Sequence, residues 1–438
     1  MAASKFERTG VISGDRGLAT DDRTGRVETM PPVAWRWVVI TVVALASTLN
    51  FLDRQLLAAV APSVRAEFHL SNADYGAIVA TFSLTYLVVA PFAGWIIDRV
   101  GLGVGLMASV VLWSITGIAT GFVGSFRGLQ ACRLALGAAE AGGIPATSKA
   151  SAVYLRPREF GLGIAFGSIG VALGSIGAPL VVAFLAPAYG WRSAFVVCGL
   201  LGLLWALLFR VIASWVPEAT AHDAEPPLPV RVLLGDVRFW GILGANMLVM
   251  STYSLWLNWT TILFVEQYKL TQTQANQYFA WIPPLFATMG GFFGGWLALR
   301  SIDRERDGVA TRLRICRMVA PALLVNAVVP LMATPMLAAA AISLSVFLCN
   351  AFLNNLQVIP FAFWGAGRAA FTTAALASSY ALTQIFLPPL IGAIVDAAGF
   401  RSLCVGMSVL PLLAIVVLKF TVPIGSASSP NAATAVRT

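Results

Sequence analysis

Twelve long apolar runs separated by short polar breaks govern what this chain can fold into. They lie near residues 35–60, 74–97, 103–123, 127–151, 161–184, 193–215, 237–264, 275–298, 316–334, 337–360, 371–394 and 403–422. A helix needs about 20 apolar residues to cross a bilayer, and these runs have about that length. Charge excludes the soluble alternative. Only 11% of the 438 residues are charged, against roughly a quarter in an ordinary soluble protein. Too few charges remain to cover a water-exposed surface. The expected fold class is an all-α membrane protein with twelve transmembrane helices.

The net charge of +9 would suggest nucleic acid in a soluble chain, but here the basic residues lie mostly between spans and report topology. With the N-terminus inside, 22 of the 29 lysines and arginines fall in the tails and cytoplasmic loops. Arg65, Arg127, Arg192, Lys269 and Arg401 fall outside, and Arg54 and Arg133 lie within spans. Both termini are therefore expected in the cytoplasm. The expected layout is a disordered tail at 1–33, a six-helix bundle at 34–215, a proline-rich linker at 216–236, a second bundle at 237–422 and a tail at 423–438. The halves resemble each other: "APLVVAFLAPAYGWRSAF" at 178–195 parallels "PPLIGAIVDAAGFRSL" at 388–403, and "AGW" at 93–95 parallels "GGW" at 294–296. Two such halves are a common plan for secondary transporters. No GxxxxGK[ST] motif is present, so no ATP-driven cycle is expected within the chain. The five cysteines are isolated in apolar stretches and read as packing residues, with no metal site.

Four ionisable residues stand inside spans: Asp53 and Arg54 in "TLNFLDRQLL", and Arg133 and Glu140 in "CRLALGAAEAGG". Each costs about 2.5–3.5 kcal/mol in a bilayer on insertion scales, so they must face one another or a water-filled cavity. Arg133 and Glu140 are seven residues apart and share a helix face, while the adjacent Asp53 and Arg54 diverge by about 100°. A guanidinium keeps its proton and can anchor an anion. A carboxylate in a cleft responds to burial and to neighbouring arginines, so it can load and release the coupling proton. His69 and His222 lie in loops and are not expected to take part.

The segments "LNFLDRQLL", "AGWIIDRVG", "RLALGAAEAGGIPATSKA" and "WRSAF" resemble the major facilitator superfamily. More narrowly they resemble its anion:cation symporter family, with bacterial hexuronate, galactonate and glucarate transporters. The resemblance covers about residues 35–422 and implies the major facilitator fold with rocker-switch alternating access. It implies that Arg54 holds the substrate carboxylate, that Arg133 positions Glu140, and that Asp53 and Glu140 are the protonatable pair. Tyr86 matches a family tyrosine that hydrogen-bonds substrate. Phe51 and Ala90 depart from the pattern, standing where sugar-acid members often carry tyrosine and glutamine. Asp98 and Arg99 are expected to latch the cytoplasmic gate.

The second half has no comparable buried charge. Its polar residues are Tyr253, Trp256 and Asn258, then Asn350, Asn354, Asn355 and Gln357, then Ser378, Ser379, Thr383 and Gln384. Of these, Tyr253, Asn258, Asn354, Ser378 and Ser379 are expected to join Arg54, Tyr86 and Arg133 in binding substrate. Gly167, Gly170, Gly174 and Gly177 give a small-residue face for close helix packing. The expected function is proton-coupled symport of an organic anion, a sugar acid or related carboxylate. The alternatives are export of a lipid-like or drug-like compound, as in the spinster-like branch, and uptake of an aromatic carboxylate. No nucleophile–base pair or metal cluster suggests an enzyme. The expected partners are a small organic anion, protons and membrane lipid, without nucleic acid. No cofactor beyond the proton gradient is expected. The chain reads as a monomer in the inner membrane of a bacterium.

Overall fold

The computed structural model describes residues 33–156, 159–215, 233–305, 308–364 and 369–422. The expected tails apart from Val33, and the expected linker apart from residues 233–236, lie outside them. The described residues form helices and no strand. The first half comprises α1 (Val33–Phe68), α2 (Asn72–Val100), α3 (Leu102–Thr120), α4 (Phe126–Glu140), α5 (Gly143–Tyr154), α6 (Phe160–Tyr189) and α7 (Arg192–Trp215). The second begins with α8 (Val237–Tyr268) and the short α9 (Gln272–Ala275), which passes through a π-helical turn at Asn276–Ala280 into α10 (Ile282–Glu305). It ends with α11 (Gly308–Ala322), a 3₁₀ stretch at Leu323–Leu331, α12 (Pro335–Trp364) and α13 (Ala369–Thr421).

Among the described residues, ten helices are long and apolar enough to cross a membrane. The expected twelve runs differ from these at two places. The run at 127–151 is divided into α4 and α5 at Ala141–Gly142. Arg133 and Glu140 dilute its hydropathy, and Gly142, Gly143 and then Pro145 interrupt and restart the helix. The last two runs fall within α13, which bends at Gly399 (φ 71, ψ 175). Gly190, its counterpart in the other half, ends α6 at φ 77 and ψ 162. Side chains with a Cβ avoid this conformation, so the repeat seen in sequence is also a repeated backbone corner.

Close packing follows the glycines. A Cβ on Gly170 or Gly174 of α6 would stand 2.4 Å from Ala44 O or 2.3 Å from Thr48 O of α1. The small face predicted in this span therefore lets two backbones touch. Large apolar side chains such as Phe122, Phe184 and Phe420, 76–80% exposed, project outward, as a lipid-facing surface requires.

The halves are joined at one end and separate at the other. One continuous apolar core unites Leu56, Val60, Ile78 and Phe195 with Trp259, Phe264 and Ile391. Towards the end where the described residues begin and stop, at Val33 and Val422 (the terminus-bearing end below), each half has a core of its own. Polar contacts seal the joined end. Arg65 pairs with Glu266, Gln272 Oε1 accepts from Ser63 N at 2.9 Å, and Asn276 Nδ2 donates to Ala59 O at 2.8 Å. Asp396 of α13 accepts from Asn72 N, Asn72 Nδ2 and Ala73 N at 3.2, 2.8 and 3.0 Å. A carboxylate of one half thus caps the N-terminus of α2 in the other, where the helix dipole favours negative charge. Replacing Asp396 by alanine should weaken this closure by about 1 kcal/mol. Disulfide cross-linking between Ser63→Cys and Gln272→Cys would then fall several-fold, and an unchanged yield would remove the latch role.

Candidate functional site

Arg54 is carried by α1 beside the joined end, and its guanidinium reaches a cavity of about 170 Å3 between the halves. Three rings surround this group, with centroids at 4.7 Å (Phe51), 4.8 Å (Phe82) and 5.1 Å (Tyr86). Ring faces of this kind attract a cation and shield it from lipid. Arg54 Nε and Nη2 both donate to Glu140 Oε2, at 3.1 and 2.8 Å. Glu140 is 1% exposed, at the last position of α4 before the helix break.

Arg133 also lines this cavity, seven residues before Glu140 on the same helix face. It is 2% exposed, and its Nε and Nη2 have no hydrogen-bond partner among the described residues. The Phe195 ring lies beneath it at 5.6 Å. Asp53, 2% exposed, has no partner for either oxygen among these residues. It points away from Arg54, as adjacent helical positions require, towards α3, where a Cβ on Gly117 would stand 4.0 Å from Asp53 Oδ1. The four buried charges therefore make one ion pair, with a free guanidinium and a free carboxyl group nearby. The pairing differs from the expected division of labour: Glu140 holds Arg54, while Arg133 is the arginine left open to the cavity.

Of the other expected binding residues, Tyr86 and Asn258 line the cavity. Asn258 Nδ2 donates back to Ser254 O at 3.0 Å, and Asn258 O accepts from Tyr75 Oη at 3.0 Å. Tyr253 lines a separate, smaller hollow with Trp256. Ser379 is buried, accepting from Asn246 Nδ2 at 2.9 Å and donating to Leu376 O at 2.8 Å, so it ties α8 to α13. Ser378 and Asn354 are exposed and do not line the cavity. Arg99 is exposed at the terminus-bearing end of α2, 4.0 Å from the Trp95 ring centroid. The side chain of Asp98 lies outside the description. Lys149 Nζ donates to Ile97 O at 3.0 Å and so tethers this helix end to α5.

Gln55, Ser83 and Tyr380 also line the cavity and were not singled out from sequence. One-turn spacing could have found them. Gln55 lies four residues after Phe51, Ser83 three before Tyr86, and Tyr380 four before Gln384, which lines the cavity too. Gln384 accepts from Ser254 Oγ.

The family model described as Major Facilitator Superfamily matches residues 43–364. The chain is similar to the hexuronate transporter of Escherichia coli (strain K12), 27% identical over 405 residues, covering 87% of this chain and 93% of that one. The galacturonate transporter of Dickeya chrysanthemi is 27% identical over 60% of this chain and 81% of its own. Among solved structures, a bacterial homolog to the human lysosomal transporter Spinster, inward-facing and unoccupied, superposes with a TM-score of 0.76 at 20% identity. That match covers 89% of this chain and 98% of the other, and it supports the fold alone.

Proposed function

The chain belongs to the Major Facilitator Superfamily, and from that premise we propose that it is a proton-coupled symporter of an organic anion, a sugar acid such as a hexuronate or aldonate or a related carboxylate, working by alternating access. It is a secondary transporter and not an enzyme. With bacterial relatives and, among the described residues, ten helices of membrane length, it is a multi-pass protein of the inner membrane.

The observation that carries the proposal is the Arg54–Glu140 pair on the cavity wall. A substrate carboxylate and the Glu140 carboxylate compete for one guanidinium. Protonation of Glu140 removes its charge and frees the Arg54 fork, so substrate binds with a proton rather than against one. Arg133, with nitrogens to spare, adds a second positive charge that draws the anion in. Asp53, whose oxygens are unpaired, is the second protonatable group, since a lone buried carboxylate without a partner is costly while its neutral acid is much less so. The aromatic faces around Arg54 suit the C–H face of a sugar ring. Gln55, Ser83, Tyr86, Asn258, Tyr380 and Gln384 supply partners for hydroxyls. Export of a lipid-like compound has weaker support, because the Spinster-homolog structure matches at 20% identity and speaks for the fold alone, whereas sugar-acid transporters match by sequence along most of the chain.

In the cycle proposed, both termini are cytoplasmic, so the open end of this structure faces the cytoplasm. Asp98 and Arg99 form the gate that closes that end in the opposite state. A single chain driven by the proton gradient suffices.

Uptake of D-glucuronate by proteoliposomes under an imposed pH gradient tests the reading. The wild type should accumulate it only when the outside is acidic. Arg54→Lys should raise KM about 10–100-fold, as a point charge replaces a two-pronged donor. Uptake indifferent to the pH gradient, or a normal KM in Arg54→Lys, would sink it.

A further inference from the structure

A second hollow of about 220 Å3 lies wholly within the first half. Phe51 borders both hollows, so this residue stands between the new one and the cavity that holds Arg54. Helices α1, α3, α5 and α6 enclose it; Ala46, Leu106, Ile164 and Val171 make much of its wall apolar, and Asn50, Ser47, Thr147 and Ser168 add a polar strip along it. These residues run in one direction. Ser47 lies one turn before Asn50 on α1, Thr147 lies one turn after Gly143 on α5, and Ser168 lies on the first turns of α6. Each step leads from the level of Glu140 towards the terminus-bearing end.

Asn50 is 4% exposed and its Nδ2 has no partner among the described residues. A Cβ on Gly143, in the wall of the hollow, would stand 3.6 Å from that nitrogen. Further along, Thr147 Oγ1 and Ser47 Oγ lie 3.3 Å apart; Thr147 Oγ1 also donates to Gly143 O at 3.0 Å and Ser168 Oγ to Ile164 O at 3.1 Å, which leaves their lone pairs to accept from water. At the inner end the Asn50 amide adjoins Glu140, whose Oε1 likewise lacks a partner. The ionisable groups around Glu140 are Arg54 and Asp53 from α1, Arg133 from α4 and Tyr86 from α2, and none of them lines this hollow. Glu140 is the acceptor beside the Asn50 donor, and a water, which needs only about 30 Å3 and two to four polar neighbours, can bridge the amide, Glu140 and the hydroxyls further along. The hollow has room for several molecules.

We propose that this hollow holds a file of water that conducts the proton of Glu140 to solvent at the terminus-bearing end, apart from the path of the substrate. The inference rests on Glu140 being the coupling acid. In the step itself the O–H bond of protonated Glu140 breaks, its proton passes to a water beside Asn50, and each water hands a proton to the next until solvent takes one. The carboxylate left behind pairs with Arg54. Electrostatics favours the separate route: Arg54 and Arg133 line the substrate cavity, and fixed arginines raise a barrier to protons.

The test uses full-length protein in proteoliposomes, with D-glucuronate as probe and a trapped pH dye. Ser47→Ala combined with Thr147→Val removes the hydroxyls with little change of shape. The expected result is a roughly tenfold slower proton flux and pH-driven uptake, with counterflow exchange of glucuronate retained. Thr147→Ser in the Ser47→Ala background should restore the flux. Normal flux in the double variant would overturn the route. So would equal loss of flux and exchange in protein that keeps its melting temperature, because the hydroxyls would then be structural. Wild-type protein that exchanges glucuronate without moving protons would overturn the route together with proton coupling. Wild type that couples protons while the double variant behaves normally would overturn the route alone.

Discussion

Replacing Glu140 by glutamine is expected to abolish uphill transport while leaving exchange intact. Glutamine has the shape of the protonated acid, so Arg54 is permanently released to the substrate. The binding site stays competent, but no proton is taken up or lost at this position. Each coupled proton makes a unit of pH gradient worth about 1.4 kcal/mol, or tenfold accumulation. In Glu140→Gln the ratio of internal to external substrate should lose at least that tenfold per pH unit, measured at steady state in proteoliposomes. Counterflow should continue at a rate within a few-fold of wild type. If exchange fell with accumulation, the Arg54–Glu140 pair would be a structural clasp, since removing one partner of a buried pair destabilises strongly.

The second large effect is expected at Gly76. This residue of α2 faces α13 at the joined end, where a Cβ would come within 2.2 Å of Pro388 O and 2.4 Å of Pro388 C. Across the same seam, a Cβ on Gly392 would stand 2.2 Å from Asn72 O. These neighbours are backbone and cannot rotate away. Gly76→Val should therefore exclude the present closure and hold the carrier open on the opposite face. A penalty of roughly 2.7 kcal/mol or more corresponds to at least about a 100-fold loss of the closed form. Turnover should fall accordingly. A cysteine placed at Ser63, half-buried in wild type, should become several-fold more reactive to a membrane-impermeant maleimide added from that face. Retained transport with unchanged labelling would show that the seam yields.

Much of this was legible in the sequence for simple physical reasons. A bilayer admits only apolar helices, so the runs announced themselves, and the cost of burying charge singled out Asp53, Arg54, Arg133 and Glu140. Helical spacing separated Asp53 from Arg54 and put Arg133 and Glu140 on one face. Spacing along one chain does not decide which charge meets which across helices, so the partnership of Arg54 with Glu140 had to come from packing. The second half was harder to read. Its amides and hydroxyls serve equally as ligands or as links between helices. Ser379 and Asn246 proved to bond each other, and Asn355 donates to Gly294 O of α10 at 3.0 Å. Gln55, Ser83 and Tyr380 are neutral single residues in apolar runs, and only the neighbouring helices give them a cavity to face. The division of the fourth run at Ala141–Gly142 was hidden because a hydropathy pattern averages over a break of two residues.

The apolar core shared by the halves at the joined end also makes the carrier sensitive to temperature. Opening that end parts contacts between the halves such as the Tyr75 ring on Trp259, 5.2 Å between centroids, and wets apolar surface there, a change with a positive heat capacity. Hydrophobic attraction weakens on cooling. Cold therefore favours parting of this end, and warmth favours the face seen here. The resting orientation of the carrier becomes a property of the temperature at which the cell grows as well as of its proton gradient.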